Sequence, residues 1–467
     1  MIVLKFGGSS INSSQAIRNV ADIIYSKRNR HPIVVLSACG DTTDNLLASI
    51  KAARDGEFET ALASVDSIYT YHQSMAAELE IGSPWKEKFE EETGRFTAEL
   101  RELLRGVSLL RDISRKSIDR IVSFGERFST LLMMCHVNTQ GIDAHLVESR
   151  EFMKTTDEHT RAKPLLEESE PLIQSTFNLP EDDGNYSIPI AQGFIGSTLE
   201  GDISTLGRGG SDYTASIIGA ALEAETIEIW SDVDGILTAD PTIIDHARVI
   251  KEMTFREASE LAYFGARVLH PDTILPAVEL DIPIQIYNTR NPESDGSLIR
   301  RDFPDHQEQK VVKSIAYKEG IQVLNLTSTR MFQAHDFLRK VFEVLDRHQV
   351  VADLVSTSEV SVSIAFAKDV DPQPLIHEIS KFSTVSMENR KAIVCLVGEN
   401  MRAYKGLPGR IFKELENFHI NMISQGASEV NLSFVIDEAD IEPVVRTLHD
   451  AFFAEEEKYS QRTMVSG

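Results

Sequence analysis

Ile2-Val3-Leu4-Lys5-Phe6-Gly7-Gly8-Ser9-Ser10-Ile11 starts as a short apolar run, turns on two glycines, and leads into Ala16, Ile17, Val20, Ile23 and Ile24 at helical spacing. That is strand, tight loop, helix. The pattern recurs at once: His31 to Ser37 (HPIVVLS) is a continuous apolar strand of the kind buried on both faces of a parallel sheet, followed by a loop and helix over Gly40 to Ile50. Ile188 to Gln192, Thr226 to Ser231 and Ile284 to Tyr287 are further buried-strand candidates, and Phe58 to Ile121 reads as long, charged and helical. Strands alternating with helices over about the first 300 residues predict an α/β fold, an αβα sandwich with a mostly parallel sheet. Such sheets place their ligands in loops at the carboxyl ends of the strands.

Beyond the Asn288 to Gly296 loop and the charged stretch Arg300 to Lys310 the texture changes. Strand, helix, strand, strand, helix can be read over Ile321–Leu326, Asp336–Arg347, Ala352–Thr357, Val360–Phe366 and Pro374–Phe382. A similar order recurs over Ala392–Val397, Gly409–Phe418, Met422–Gln425, Leu432–Val435 and Ile441–Phe452, and VSTSEVSVSIAF echoes ISQGASEVNLSFVI. Two ferredoxin-like β-α-β-β-α units of about 70 residues each follow. The second ends in an acidic helix and a polar tail, Glu455 to Gly467, without a strand to complete its sheet. Val311 to Tyr317 is a spare strand, and it is inferred to close that sheet. The division is therefore 1–300, 311–387 and 388–467.

A chain of 467 residues exceeds the usual span of one core, which agrees with several domains. No apolar run is long enough to cross a bilayer and no signal peptide precedes the glycine turn, so no membrane partner and a cytoplasmic location are expected. Cys39, Cys135 and Cys395 lie far apart with no CxxC pair, against a disulfide framework or a zinc site. A net charge of −25 repels polyphosphate backbones and disfavours nucleic acid.

Four polar constellations interrupt this scaffold. Lys5 with Gly7, Gly8 and Ser9 sits at a strand end opening into a helix, where backbone can approach a phosphate closely. It is not a Walker A loop, since the lysine precedes the glycines; alone it reads as a solvated turn. Gly207-Arg208-Gly209-Gly210-Ser211-Asp212 opens a second helix with more glycine than a cap requires, and suggests an anion nest with Arg208 gripping a carboxylate. Trp230 to Pro241 (WSDVDGILTADP) leaves a strand into turns, and Asx turns explain it equally well. In Ser123-Phe124-Gly125-Glu126, a first-turn Glu126 is by itself merely favourable to the helix dipole.

Taken in order, KFGGSS, SFGE, GRGGSDYTA, WSDVDGILTADP, FGARVLHP (Phe264 to Pro271) and NTRNPESDGSLI (Asn288 to Ile299) closely resemble the aspartate kinases of the amino-acid kinase family, across essentially the whole chain. The resemblance implies two C-terminal ACT regulatory units. It also implies phosphoryl transfer from ATP, with Mg²⁺, to the side-chain carboxylate of L-aspartate. Lys5 and Asp212 would be catalytic. Thr43, Glu126, Arg208, Gly209, Gly210 and Ser211 would hold aspartate. Lys5, Gly7, Gly8, Ser9, Ser231, Asp232, Leu237 and Arg267 would meet the nucleotide, with no dedicated metal ligands because Mg²⁺ arrives on ATP. Leu237, Thr242 and Arg267 depart from the family's usual tyrosine, arginine and lysine. No homoserine dehydrogenase segment follows Gly467, so the resemblance is to the monofunctional type.

Asn325 to Phe366 is similar to the first ACT unit of lysine-sensitive members. This implies L-lysine as effector at Met331, Phe337, Leu338, Asp353, Thr357, Ser358 and Glu359, although Asp336 stands where those relatives have glycine. A homo-oligomer, dimer or tetramer, through the ACT units is expected with it. The competing readings are a catalytically silent amino-acid sensor and a kinase of another small amino acid or of carbamate.

Overall fold

The computed structural model describes residues 1–177, 186–265, 271–303, 311–327, 336–426 and 428–464. Packing divides the chain into two units that interleave along the sequence. The first comprises Met1–Ile236, Lys251–Phe255 and Leu269–Asp302; the second comprises Leu237–Ile250, Arg256–Val268 and Phe303–Gly467.

The strands of the first unit are Ile2–Phe6 (β1), Pro32–Leu36 (β2), Ala144–Val147 (β3), Lys154–Thr155 (β4), Ile188–Gln192 (β5), Ile195–Thr198 (β6), Ile203–Thr205 (β7), Ile227–Ser231 (β8), Glu252–Thr254 (β9), Ile284–Asn288 (β10) and Ser297–Arg300 (β11). Eight of them form one sheet in the order β3-β5-β2-β1-β8-β10-β11-β9, parallel except where β10 meets β11. β1, β2 and β5 are buried along their whole length, which requires helical cover on both faces.

That cover comes from Ser14–Ser26 (α1), Thr42–Arg54 (α2), Phe58–Glu78 (α3), Trp85–Leu110 (α4), Arg115–Val122 (α5), Phe124–Thr139 (α6), Ser149–Phe152 (α7), Leu166–Thr176 (α8) and Gly210–Ala221 (α9). α9 packs along β1, β2 and β8, while α6 packs on β2, β3 and β5 with α1, α3 and α4 against it. Phe89, Phe96, Phe124 and Phe128 join these helices to Leu4, Leu36 and Ile190 in one core. The short strands β3, β4, β6, β7, β9 and β11 are not legible in the sequence as strands. At two to four residues each, they are too brief for a period to register.

Phe255–Tyr263 (α10) starts in the first unit and continues in the second, and Pro271–Glu279 (α11) packs on α9. The second unit continues with Ser314–Thr327 (β12), Phe337–Arg347 (α12), Leu354–Thr357 (β13), Ser361–Ala367 (β14), Pro372–Ile379 (α13), Thr384–Val397 (β15), Leu407–Glu414 (α14), Met422–Gln425 (β16), Asn431–Asp437 (β17) and Ile441–Met464 (α15). Its six strands form one sheet in the order β13-β14-β12-β15-β17-β16.

β12 and β15 each span 14 residues and serve two halves of this sheet. Ser314–Lys318 pairs with Ile393–Val397; after a register shift between Lys318 and Ile321, Ile321–Thr327 pairs with β14 and with Thr384–Lys391. Each half thus has four strands in the ferredoxin-like order, and the segment before the first half supplies the fourth strand of the second. The sequence pattern predicts two separate strands where β12 runs continuously through its bulge, and a polar tail from Glu455 where α15 extends to Met464. Ala239, Ile243 and Ile244, from the excursion after β8, pack in one core with Val394, Leu396, Phe434 and Leu448.

Candidate active site

β1, β2 and β5 end side by side, and the loops leaving them converge with the amino ends of α2, α6 and α9 around a cavity of about 270 Å³. Helix amino ends present unpaired N–H groups and the positive end of the macrodipole, so this arrangement favours anions.

Lys5, near the end of β1, is 8 % exposed, and its Nζ lies 2.6 Å from Asp212 Oδ1 in the first turn of α9. The glycine loop before α9 enters through Gly207 at φ 75° and Gly209 at φ 72°, left-handed conformations that suit residues without a Cβ. Gly207, Gly209, Gly210 and Ser211 line the cavity, as do Gly8 from the first glycine turn and Thr43 from α2. Gly7 N–H donates to the Trp230 carbonyl at 3.2 Å, which ties that turn to the end of β8.

Glu126 lines the same cavity from the first turn of α6 and is 3 % exposed. Its Oε1 accepts from Ala38 N–H at 3.1 Å, whereas its buried Oε2 meets no donor among the described residues. Burial pushes its pKa up to about 8, against the opposing pull of the backbone donors. A carboxyl group so placed gains from a proton or from a cation brought against its bare oxygen. The loops close tightly here: a Cβ on Gly125 would stand 2.8 Å from Ala38 Cβ.

The cavity thus gathers Lys5, Asp212, Thr43, Glu126, Gly8, Gly209, Gly210 and Ser211. Arg208 is exposed on its loop and is not among the lining residues. Ser231 ends β8, where its carbonyl accepts from Thr289 N–H at 2.9 Å, and Asp232 beside it is exposed; neither lines the cavity, and nor do Gly7 and Ser9. Leu237 belongs to the second unit, where its carbonyl accepts from Ser314 Oγ at 2.8 Å, and Thr242 there closes an Asx turn on Asp240. Arg267 lies outside the described residues.

Ser37, Ala38, Gly40 and Phe194 also line the cavity, and their residue types do not single them out in the sequence. They contribute backbone and shape. The available signal is positional, since each follows closely on a fully buried strand whose carboxyl end borders the cavity.

Of the effector candidates, Phe337 is buried, Leu338, Thr357, Ser358 and Glu359 are exposed, and Asp353 is engaged by Lys318 Nζ at 2.6 Å; Met331 lies outside the described residues. Asp336 stands at the N-cap position of α12 without a side-chain capping bond and pairs with Arg339 at 3.4 Å.

Residues 1–288 match the amino acid kinase family, and residues 394–452 match an ACT domain. The chain is 37 % identical to aspartokinase 1, chloroplastic, of Arabidopsis thaliana over 97 % of this chain and 80 % of that protein. It is 34 % identical to lysine-sensitive aspartokinase 3 of Escherichia coli K12 over 97 % of this chain and 99 % of that one. Among solved structures, E. coli aspartokinase III in complex with aspartate and ADP in the R-state aligns with a TM-score of 0.83 at 35 % identity, covering 97 % of this chain and 100 % of that one. The same enzyme with lysine and aspartate in the T-state aligns at 0.77 and 34 % identity, covering 97 % and 99 %.

Proposed function

The chain belongs to the amino acid kinase family, and from that premise we propose the roles by which its residues carry out the reaction. It is an aspartate kinase: it transfers the γ-phosphoryl group of ATP to the side-chain carboxylate of L-aspartate, giving 4-phospho-L-aspartate. The observation that carries the residue assignment is the buried, half-satisfied Glu126 facing the same cavity as the Lys5 and Asp212 pair. An ammonium seat beside a phosphoryl-transfer centre fits an amino acid that is phosphorylated at its far end.

The attacking carboxylate has an ordinary pKa of about 3.9 and is ionised at neutral pH, so no general base is required. The barrier lies in bringing two anions together. Lys5 and the amides at the start of α9 offset that repulsion and stabilise charge on the transferring group. Asp212 holds Lys5 in place. Glu126 takes the α-ammonium of aspartate, and Arg208, swinging inward on its glycine loop, takes the α-carboxylate with the help of Thr43. Gly7, Gly8, Ser9, Ser231 and Asp232 serve the nucleotide, together with Leu237 and Arg267. Mg²⁺ would come with the triphosphate, held mainly by it, and would supply charge neutralisation, with Asp212 on the cavity wall as the carboxylate able to offer it an oxygen.

Residues 1–300 are assigned as the catalytic domain and 311–387 and 388–467 as ACT units that bind L-lysine as inhibitor. Asp353, Phe337, Leu338, Thr357, Ser358, Glu359 and Met331 would form that effector site. Exposed Leu338, Phe342, Val355 and Ile423 support association of ACT units into a homo-oligomer. Among the described residues no helix is long and apolar enough to cross a membrane, and the three cysteines are free and buried, which supports a cytoplasmic location.

The test is ADP release coupled to a hydroxamate trap for the acyl phosphate, with ATP, Mg²⁺ and aspartate. Aspartate-dependent release with a trapped acyl phosphate is the expected result. Silence with all three present would favour the amino-acid sensor, and faster turnover of glutamate would favour another small-amino-acid kinase.

A further inference from the structure

Lys318 Nζ lies 2.6 Å from Asp353 Oδ1, and the carboxylate side chain is 2 % exposed against 29 % for the lysine. The Tyr263 hydroxyl donates to the same oxygen at 3.0 Å, and the Lys318 ammonium stands 5.3 Å from the centroid of the Tyr263 ring. Asp353 Oδ2 is buried and meets no hydrogen-bond donor among the described residues. One oxygen of a desolvated carboxylate is therefore held by an alkylammonium and a hydroxyl, and the other is bare. A bare buried oxygen is costly and accepts any donor that can reach it.

We propose that Lys318 is a tethered occupant of the effector's ammonium seat, so that L-lysine binds by displacing the Lys318 ammonium from Asp353, and that this competition sets the effector's affinity and identity. The inference rests on the assignment of Asp353 to the effector site. Free lysine carries the same group as Lys318, an ammonium on a four-carbon stem, whereas the side chains of threonine and methionine do not. The carboxylate, hydroxyl and ring that seat one therefore seat the other. Because Lys318 is covalently attached, it competes at a high effective concentration, and the apparent affinity for free lysine is correspondingly reduced. Lys318 also stands at the register shift of β12, close to Gly320 at φ 68°, where pairing with one half of the sheet gives way to pairing with the other. Its release therefore acts on the strand that both halves share.

The test uses the full-length protein, measuring L-lysine binding by calorimetry and inhibition at limiting aspartate. Lys318→Met keeps the stem over the Tyr263 ring and deletes the competing charge; the half-inhibiting lysine concentration should fall about tenfold or more, as expected for a buried carboxylate left to a single cation. Lys318→Arg restores the competitor and should return the response to within about threefold of the parent protein. Should Lys318→Met fold poorly, Lys318→Gln removes the charge while leaving a donor for Asp353, and the same fall is expected. Unchanged or weaker lysine binding in the charge-deleted variants, with Asp353→Asn losing its lysine response, overturns the displacement and leaves the lysine site standing. An Asp353→Asn protein that responds like the parent removes Asp353 from the effector site and overturns both.

Discussion

Lys5 Nζ and Asp212 Oδ1 stand 2.6 Å apart, one near the end of the first strand and the other in the first turn of α9. The pair spans the two glycine loops and sets the charge where a phosphoryl group would pass between substrates. Lys5→Met should preserve the fold and lower kcat by roughly 10²-fold or more, the scale of a lost transition-state donor. Circular dichroism and single-turnover kinetics check it; near-normal turnover in a folded variant would remove Lys5 from the chemistry.

Glu126 ties the pH dependence of binding to that of stability. Its folded pKa is about 8 against an ordinary 4.5, so between those values the folded protein holds a proton that the unfolded chain has released. The resulting stability is fully present below 4.5 and is lost as pH rises through 8. Glu126→Gln cannot ionise and keeps an acceptor for Ala38 N–H. Its melting temperature should match the parent's near pH 5 and exceed it by about 2–6 °C above pH 8. Scans at both pH values decide this, and a variant less stable than the parent at high pH would show that the carboxylate is satisfied in the folded state.

Aspartate binding should run the opposite way. In its proposed role Glu126 meets the substrate's ammonium only when ionised, so affinity should rise with pH up to about 8 and binding below that should release a proton. Titrations in buffers of different ionisation enthalpy measure the release. No proton released at pH 7 would place the ammonium elsewhere.

Arg208 is exposed in the structure, so the role proposed for it requires the glycine loop to turn inward with substrate. Arg208→Ala should raise the KM for aspartate by about two orders of magnitude with little effect on that for ATP. A selective loss of ATP binding would mean that the loop serves the other ligand.

Gly125 has no room for a methyl group, because the added Cβ would meet Ala38 Cβ at 2.8 Å and Thr43 Oγ1 at 3.5 Å. Gly125→Ala should push α6 from the loop after β2, destabilise by roughly 1–3 kcal/mol, and raise the KM for aspartate through displaced Glu126 and Thr43. A variant with parent-like melting and KM would show that the loops yield freely.

Lys5, Gly8, Glu126, Gly209, Gly210 and Asp212 stand out through the order of their motifs along the chain, although by type and place alone Lys5 reads as a solvated turn and Glu126, just after the junction of α5 and α6, as a favourable first-turn charge. Ala38 and Phe194 do not, because a residue that offers its backbone N–H or its bulk has no chemical mark in the sequence. The fold's frame is readable in HPIVVLS and IPIAQ, whose largely apolar runs form the fully buried strands β2 and β5. The excursions Leu237–Ile250 and Arg256–Val268 are not readable, since nothing local to them records that they pack with residues far along the chain. The pairing of Lys318 with Asp353 is hidden for the same reason: each alone is an ordinary strand-end charge.

The double duty of β12 and β15 makes the C-terminal region indivisible. A fragment starting at Ala392 would hold three strands of its half sheet and present a bare edge on β15, where Ser314–Lys318 belongs. Open edges of that kind recruit whatever strand fits them. The matching donor is the peptide spanning residues 311–318, so the two pieces, made separately, would be complementation partners. A break in the chain there would convert an internal strand exchange into an obligate assembly of two polypeptides.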